Sequence, residues 1–281
     1  MKKMVENEVM AMITQRAMDI RPFIVMDVLE AAQAMERSGE DVIHLEVGEP
    51  DFDTPECIKE AGLRALHEGK THYTHSLGLL ELREAICDHY RKRYSVIVSP
   101  EQVIVTSGTS PAMMILFSTI LERDDEVIIS DPHYACYPNF IRFFGGNPVC
   151  VPVREDEGFQ YTPAAIREMI HPRTKAILIN SPSNPTGNLL SRERMEEIAS
   201  FGVPIISDEI YHGLVYGETE HSILEFTDNA FVLNGFSKAY AMTGWRLGYL
   251  IAPRSLIRPM QKIQQNLFIS ANAFVQWAGV A

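Results

Sequence analysis

Long apolar runs are missing from this sequence: no stretch reaches the ~18 consecutive apolar residues that a membrane-spanning helix needs. Lys2 and Lys3 stand near its start, but Glu6 and Glu8 interrupt what would otherwise resemble a signal peptide. Basic residues are also few, because 25 lysines and arginines stand against 37 acidic residues, and they form no long run. The net charge is -12. We therefore expect a cytoplasmic protein that has no membrane anchor and binds neither nucleic acid nor a membrane.

Cysteine is scarce and scattered. The four cysteines form no Cys-x-x-Cys pair, and the histidines do not have the spacing of metal ligands. This pattern argues against a disulfide framework and predicts reduced thiols that serve in packing. We expect no metal site.

Hydrophobic residues occupy 46% of the 281 positions, which is enough for a large core. Short apolar runs alternate with amphipathic segments, and this pattern predicts an α/β fold with a mainly parallel, seven-stranded sheet flanked by helices. The predicted strands cover residues 103–106, 126–130, 148–153, 176–180, 204–207, 231–234 and 247–252. The predicted helices, which begin near Pro, Ser or Thr, cover residues 111–121, 137–144, 163–170 and 192–201.

The N-terminal part differs from this alternating pattern. Residues 23–38 have the periodicity of an amphipathic helix, and residues 42–46 predict a short strand. We assign residues 1–47 to an N-terminal arm and part of a second, smaller domain. Residues 48–281 form the predicted large domain, which looks incomplete at its C-terminal end.

Lys238 follows the predicted strand 231–234 and lies in a turn of small and apolar residues, eight positions before Arg246. A lysine amine attacks an aldehyde only when deprotonated, and desolvation or a nearby cation achieves this near neutral pH. Taken alone, a lysine after a strand is most often an exposed surface residue. The guanidinium of Arg246 suits a phosphate group, however, and Gly244 and Gly248 let the backbone approach it closely.

Residues 106–111 follow another predicted strand and open a helix, with a small hydroxyl residue as the expected N-cap and Pro111 near the first helical position. The free N–H groups and dipole of such a helix start can bind phosphate, although most caps bind nothing. Further motifs come after predicted strands, where parallel sheets bind their ligands, or lie upstream of the sheet. They occupy residues 47–51, 69–83, 131–134, 180–187 and 207–211.

In order and spacing, these segments resemble the motifs of the class I and II aminotransferases, which are enzymes of fold type I that depend on pyridoxal 5'-phosphate (PLP). The resemblance covers residues 48–249. It implies that Lys238, next to Ser237, forms a Schiff base with PLP. It further implies that Arg246 binds the cofactor phosphate, together with the backbone of Gly108 and Thr109.

The resemblance also assigns the groups around the cofactor ring. Tyr134 stacks on the pyridine ring, and Asp208 pairs with the protonated ring nitrogen, so that the ring can accept electrons. Asn184 and Tyr211 share the phenolic oxygen. Taken alone, Asp208 could equally cap a helix. For Glu209 we expect a solvated or salt-bridged role.

Two upstream residues complete the implied site. Tyr73 reaches into the neighbouring subunit's site and contacts the cofactor phosphate, which implies a homodimer. Gly48 offers a backbone contact to the substrate carboxylate. The implied reaction is a ping-pong transfer of an amino group from an L-amino acid to a 2-oxo acid, in which Lys238 is both anchor and general base.

The sequence gives little indication of which amino acid is the donor. Some relatives that use aspartate have a lysine where this chain has Ser110, and others use a basic residue in the region of residues 261–273, where only Lys262 is basic. Recognition of an acidic side chain is therefore unsupported, and a neutral or aromatic donor stays open.

The sequence departs from the family pattern at its C-terminal end. Family members continue into a segment that completes the smaller domain and supplies an arginine for the substrate α-carboxylate, and neither Arg254 nor Arg258 fits that place. We expect a fragment, or a chain completed by another polypeptide, that is much less active than the intact protein. Two alternatives stay open: a PLP-dependent C–S β-lyase on the same fold, and a non-catalytic PLP-binding remnant.

Overall fold

A sheet of seven strands forms the centre of the structure, a computed structural model that describes residues 12–281. In chain order the strands are β1 (Val103–Thr106), β2 (Glu126–Asp131), β3 (Asn147–Pro152), β4 (Thr174–Asn180), β5 (Ile205–Asp208), β6 (Ala230–Gly235) and β7 (Gly248–Ile251). Their order across the sheet is β1-β7-β6-β5-β4-β2-β3. Among these seven strands, β7 runs antiparallel to both of its neighbours, β1 and β6, and all other neighbouring pairs are parallel. The predicted fold class, with its mainly parallel sheet, is confirmed.

Helices cover both faces of the sheet. They are α1 (Gln15–Asp19), α2 (Ile24–Arg37), α3 (Glu56–His67), α4 (Leu80–Tyr94), α5 (Thr109–Ile120), α6 (Tyr137–Phe143), α7 (Pro163–Met169), α8 (Arg192–Ala199), α9 (Arg254–Leu267) and α10 (Ala273–Val280). Short 3₁₀ turns lie at Pro100–Gln102, Glu155–Glu157 and Ile223–Glu225. Among the described helices, none combines the length and the apolar character that a membrane crossing requires.

The core consists of two apolar clusters, one on each face of the sheet. In β4, Ile177 and Ile179 belong to one cluster and Leu178 belongs to the other. Helices α3, α4, α7, α8 and α10 complete the first cluster, and α5, α6 and α9 complete the second. Branched apolar residues on both faces are typical of strands that helices cover on both sides.

The predicted boundaries agree closely with the structure. The largest differences, of two residues, occur at the starts of α5 and β4 and at the end of α8. The expected hydroxyl N-cap of α5 was wrong, because the N-cap is Gly108. Its φ of 96° lies in a region that glycine adopts without strain. Within residues 12–281, no side chain caps this helix start.

The N-terminal part agrees with its prediction only in part. The helix predicted over residues 23–38 is α2, but residues 42–46 form no strand in the described chain, so that prediction was wrong. An apolar run becomes a strand only when it pairs with another, and the seven strands described here pair among themselves. The domain boundary at residue 47 stays a prediction, and residues 1–11 of the arm lie outside the described residues.

Candidate active site

Most of the predicted site residues lie near the edge of the sheet at which the parallel strands β2, β4, β5 and β6 end. Asp208 is the last residue of β5, and Lys238 follows the end of β6 at Gly235 by three residues. Asn184 lies four residues beyond Asn180, which ends β4. Because the carboxyl ends of parallel strands meet at one edge, the topology gathers segments that are far apart in sequence.

Asp208 is a buried carboxylate with two hydrogen-bond donors. The Tyr137 hydroxyl donates to Oδ2 at 2.7 Å, and the Ile210 N–H donates to Oδ1 at 3.2 Å. Burial raises the pKa of the Asp208 carboxyl to about 6, and these hydrogen bonds oppose the shift. A carboxylate held in this way gains from a cationic partner, such as a protonated ring nitrogen.

Asn184 and Tyr211 meet beside Asp208. Asn184 Nδ2 donates to the Tyr211 hydroxyl at 3.0 Å, and burial raises the pKa of that hydroxyl while Asn184 opposes the shift. Asn180 links the two strand ends: its Nδ2 donates to the Asp208 carbonyl at 2.9 Å, and its Oδ1 accepts from the Asn184 N–H at 2.8 Å. The amide and the hydroxyl that were predicted to share one ligand oxygen are therefore neighbours.

Lys238 is half-buried, and its Nζ donates to the carbonyl of Gly48. The same nitrogen lies 6.0 Å from the centre of the Tyr211 ring. Burial lowers the pKa of Lys238; the Glu49 carboxylate opposes this and the Arg246 charge adds to it. The structure thus brings together Lys238, Gly48 and Tyr211, which line one cleft of about 540 Å³ with Asn184.

Arg246 lies against the start of α5. A Cβ placed on Gly108 would stand 2.7 Å from Arg246 Nη2, and one placed on Gly248 would stand 3.0 Å from the Thr109 nitrogen. The two glycines therefore allow the guanidinium and the helix start to approach each other. A cation next to uncapped helical N–H groups forms an anion site, and it suits a phosphate.

Tyr134 is half-buried near Asp208. Its ring makes edge contacts with Tyr137, at 5.2 Å between centroids, and with Phe23, at 5.9 Å. Burial raises the pKa of the Tyr134 hydroxyl. This environment is compatible with the predicted stacking role. Ser237, next to Lys238, is half-buried as well.

Tyr73 does not join this group within the described chain. Its side chain is 82% exposed, as expected for a residue that acts in another subunit, but the structure contains one chain. Its role stays a prediction.

Sequence reasoning missed two residues, and one of its two expectations for a third was wrong. Tyr137 and Asn180 hold Asp208 and Asn184 in place. A tyrosine that begins a helix usually fills a core, so the local sequence does not indicate the role of Tyr137. The alternative of a solvated Glu209 was wrong. Glu209 is fully buried and accepts hydrogen bonds from groups that include the Tyr90 hydroxyl and the Ile223 N–H.

These residues fit PLP group by group. Lys238 offers an amine to an aldehyde, Asp208 would pair with a ring nitrogen, and Asn184 and Tyr211 would share a phenolic oxygen. The space between Arg246 and the start of α5 suits a phosphate, and a side chain at Gly108 would fill it. Fold and site together define a PLP-dependent enzyme of fold type I.

Comparison with known proteins identifies the family within this class. The family model described as aminotransferase class I and II matches residues 40–281. A (5-formylfuran-3-yl)methyl phosphate transaminase of Methanocaldococcus jannaschii is 46% identical over 273 residues, covering 96% of this chain and 71% of that protein. The aspartate/prephenate aminotransferase of Thermus thermophilus is 40% identical over 271 residues, covering 95% of this chain and 70% of that protein.

A solved structure gives the same result. The aspartate aminotransferase of Thermus thermophilus with maleate superposes with a TM-score of 0.92 at 39% identity, covering 95% of this chain and 72% of that one. The chain belongs to the class I and II aminotransferase family. It is a PLP-dependent aminotransferase that moves an amino group between amino acids and 2-oxo acids, and the comparisons favour neither the β-lyase nor the non-catalytic alternative.

Proposed function

We propose that Lys238 is the residue that holds PLP and that moves the substrate proton. The observation that carries the proposal is the position of Lys238 Nζ, half-buried above the Tyr211 ring in the cleft that Gly48 and Asn184 also line. Burial lowers the pKa of this amine, although the Glu49 carboxylate opposes the shift, and a lowered pKa favours the neutral, reactive form. With PLP and substrate bound, the Lys238 Nζ would be the base that takes the proton from the substrate Cα.

The other groups bind and orient the cofactor. PLP, when bound, supplies an electron sink for the charge left at Cα. Asp208 keeps the ring nitrogen protonated, while Asn184 and Tyr211 donate hydrogen bonds to the phenolic oxygen. Tyr134 stacks on the ring. Arg246 and Ser237, with the N–H groups at Gly108 and Thr109, hold the phosphate.

The substrates are an L-amino acid and a 2-oxo acid, with the Gly48 backbone contacting the substrate carboxylate. Relatives named for aspartate and prephenate make aspartate one donor to test. The side chain of Ser110, at the start of α5, is neutral, so aromatic and aliphatic amino acids should also be tested as donors. We further propose a cytoplasmic, biosynthetic enzyme that acts as a homodimer, with Tyr73 contacting the phosphate in the neighbouring site.

Borohydride reduction of the PLP-loaded protein tests the central assignment. Reduction fixes an aldehyde on its lysine, and peptide mass mapping should then locate the added mass on Lys238. Lys262→Ala removes an exposed lysine of α9 and should keep the label, whereas Lys238→Ala should lose it. Single amino acids are then added to the unreduced protein. Loss of the visible absorbance with release of a 2-oxo acid supports amino transfer, and labelling elsewhere or an unchanging spectrum contradicts it.

A further inference from the structure

His212 follows Tyr211 in the chain and is buried, and both of its ring nitrogens have hydrogen-bond partners. Nε2 lies 2.9 Å from the carbonyl oxygen of Ser181, and Nδ1 lies 2.7 Å from the hydroxyl oxygen of Tyr94. A carbonyl can only accept, so Nε2 carries a hydrogen and donates it to Ser181. The side chain thus connects the loop after β5 to the loop after β4.

Ser181 is the residue from which the Asn184 loop starts. Its N–H donates to the Asp208 carbonyl at 3.3 Å, and its Oγ accepts from the Leu190 N–H at 3.0 Å. Ser181 is almost fully buried, so its carbonyl has no access to bulk water. Without the His212 hydrogen bond this carbonyl would be a buried acceptor with no donor, which is unfavourable. The loop would then shift until the carbonyl found another donor.

The opposite side of the His212 ring is anchored in α4. The Tyr94 hydroxyl contacts Nδ1 and also lies 3.2 Å from Glu220 Oε1. Arg93 Nε donates to the same carboxylate oxygen at 2.8 Å. His212 Nδ1 is 3.6 Å from the buried carboxylate of Glu209. Because these partners hold the ring, Nε2 has one direction in which to donate.

Three links therefore join the strand ends that carry Asn184 and Tyr211. Asn180 forms one, through the Asp208 carbonyl and the Asn184 N–H, and the Ser181 N–H forms a second with the same Asp208 carbonyl. His212 forms the third, through the Ser181 carbonyl. Tyr211 lies between Asp208 and His212 in the chain, and its hydroxyl accepts from Asn184 Nδ2 at 3.0 Å.

We propose that His212 is a positioning residue: by holding Ser181, it sets the distance between Asn184 and Tyr211, and thus the strength of the two hydrogen bonds to the cofactor's phenolic oxygen. The proposal rests on the proposed function, in which these two residues face that oxygen. Two donors stabilise the deprotonated oxygen, so looser donors should raise the pH midpoint at which the visible absorbance of bound PLP titrates.

Two substitutions at His212 distinguish the roles of its two ring nitrogens. The amide nitrogen of Gln can take the place of Nε2, whereas that of Asn reaches only the place of Nδ1. We expect His212→Asn to raise the midpoint by about one pH unit and the Kd for PLP about tenfold. His212→Gln should stay within about threefold of the wild-type Kd, since it can still donate to Ser181. His171→Asn, a substitution before the amino end of β4, should change neither quantity.

Tyr94→Phe is an independent test, because it removes the hydroxyl that holds the His212 ring while leaving Nε2 able to donate. It should raise the midpoint by less than His212→Asn does. If His212→Asn does not fold, Tyr94→Phe decides alone. Wild-type midpoints in every variant that folds would overturn the proposal, as would equal losses in the Gln and Asn variants, which indicate a role in stability only. A wild-type protein without any lysine-bound absorbance overturns the proposed function itself, and this inference with it.

Discussion

The guanidinium of Arg246 lies so close to Gly108 that a Cβ on the glycine would stand 2.7 Å from Nη2 and 3.2 Å from Cζ. Gly108 also has a φ of 96°, so an L-residue there is strained even before it meets the arginine. Backbone and side chain thus form one anion site at the start of α5.

Gly108→Ala should therefore weaken PLP binding. The methyl group displaces the guanidinium from the phosphate position, and we expect the Kd for PLP to rise at least about tenfold, measured by fluorescence or absorbance titration. Gly217→Ala is the matched control, because Gly217 has a φ of 78° and no atom of residues 12–281 lies within 4 Å of its Cβ position. It carries the backbone strain without the displacement. An equal loss of PLP affinity in both variants would contradict the anion site.

Tyr137→Phe tests the hydrogen bond to Asp208. The Tyr137 hydroxyl lowers the pKa of a carboxyl that burial raises, so its removal leaves Asp208 less able to stay ionised beside a cationic ring nitrogen. We expect kcat to fall roughly tenfold, with a loss of about 1–3 kcal/mol in the free energy of unfolding.

Tyr161→Phe is the matched control for this prediction. The Tyr161 hydroxyl is also buried and also donates at 2.7 Å, but to the carbonyl of Leu178. Its loss should destabilise the protein to a similar degree while kcat stays within about twofold, since no site residue loses a partner. If the two variants lose kcat equally, Tyr137 acts through stability alone.

The sequence predicted the sheet well because each strand is a short apolar run bounded by polar residues, and the motifs follow those runs directly. It failed where tertiary partners decide. Residues 42–46 have the composition of a strand, but they pair with no strand in the described chain. Glu209 looks like a surface carboxylate, yet donors from three separate segments, Tyr90, Ser207 and Ile223, make its burial possible.

The supporting residues of the site were less predictable than the cofactor contacts. Lys238, Asp208 and Asn184 lie in segments whose order resembles a family, so their positions could be inferred. Tyr137 and His212 act through atoms on other strands and helices, and nothing in their local sequence reveals which atoms those are. Only the three-dimensional register supplies that information.

Asp208→Asn should change stability and activity in opposite directions. Because burial raises the Asp208 pKa to about 6, above its usual value, the cofactor-free protein loses stability as the pH rises between roughly 4 and 6. The loss is complete above the folded-state pKa and amounts to at most about 3 kcal/mol. The Asn variant lacks this charge and should be the more stable protein at pH 8 and close to wild type at pH 4.

Activity should nevertheless fall on the order of a hundredfold or more, because a neutral amide cannot keep the ring nitrogen protonated. Chemical denaturation of the cofactor-free proteins at pH 4 and pH 8, together with turnover of the loaded ones, measures both effects. A variant that is less stable than wild type at pH 8 would contradict this prediction. It would show that ionisation of the buried Asp208 lowers the free energy of unfolding very little.

Tyr73 offers a test of the proposed dimer by complementation. Lys238→Ala removes the amine that binds the cofactor, and Tyr73→Phe removes the hydroxyl that is proposed to reach the neighbouring phosphate. In a mixed dimer of these two variants, a Tyr73 that acts in the neighbouring site leaves one site with both native residues. If Tyr73 acted within its own subunit, no site would have both.

We therefore expect an equimolar, unfolded-and-refolded mixture to regain about a quarter of the wild-type sites, since half of the dimers are mixed and each of those has one native site. The readout is activity at a PLP concentration that the Tyr73→Phe protein alone does not bind. Refolding each variant by itself is the control and should give no such activity. A mixture no more active than the two variants apart would place Tyr73 in its own subunit's site or outside any site, and its 82% exposure would then need another explanation.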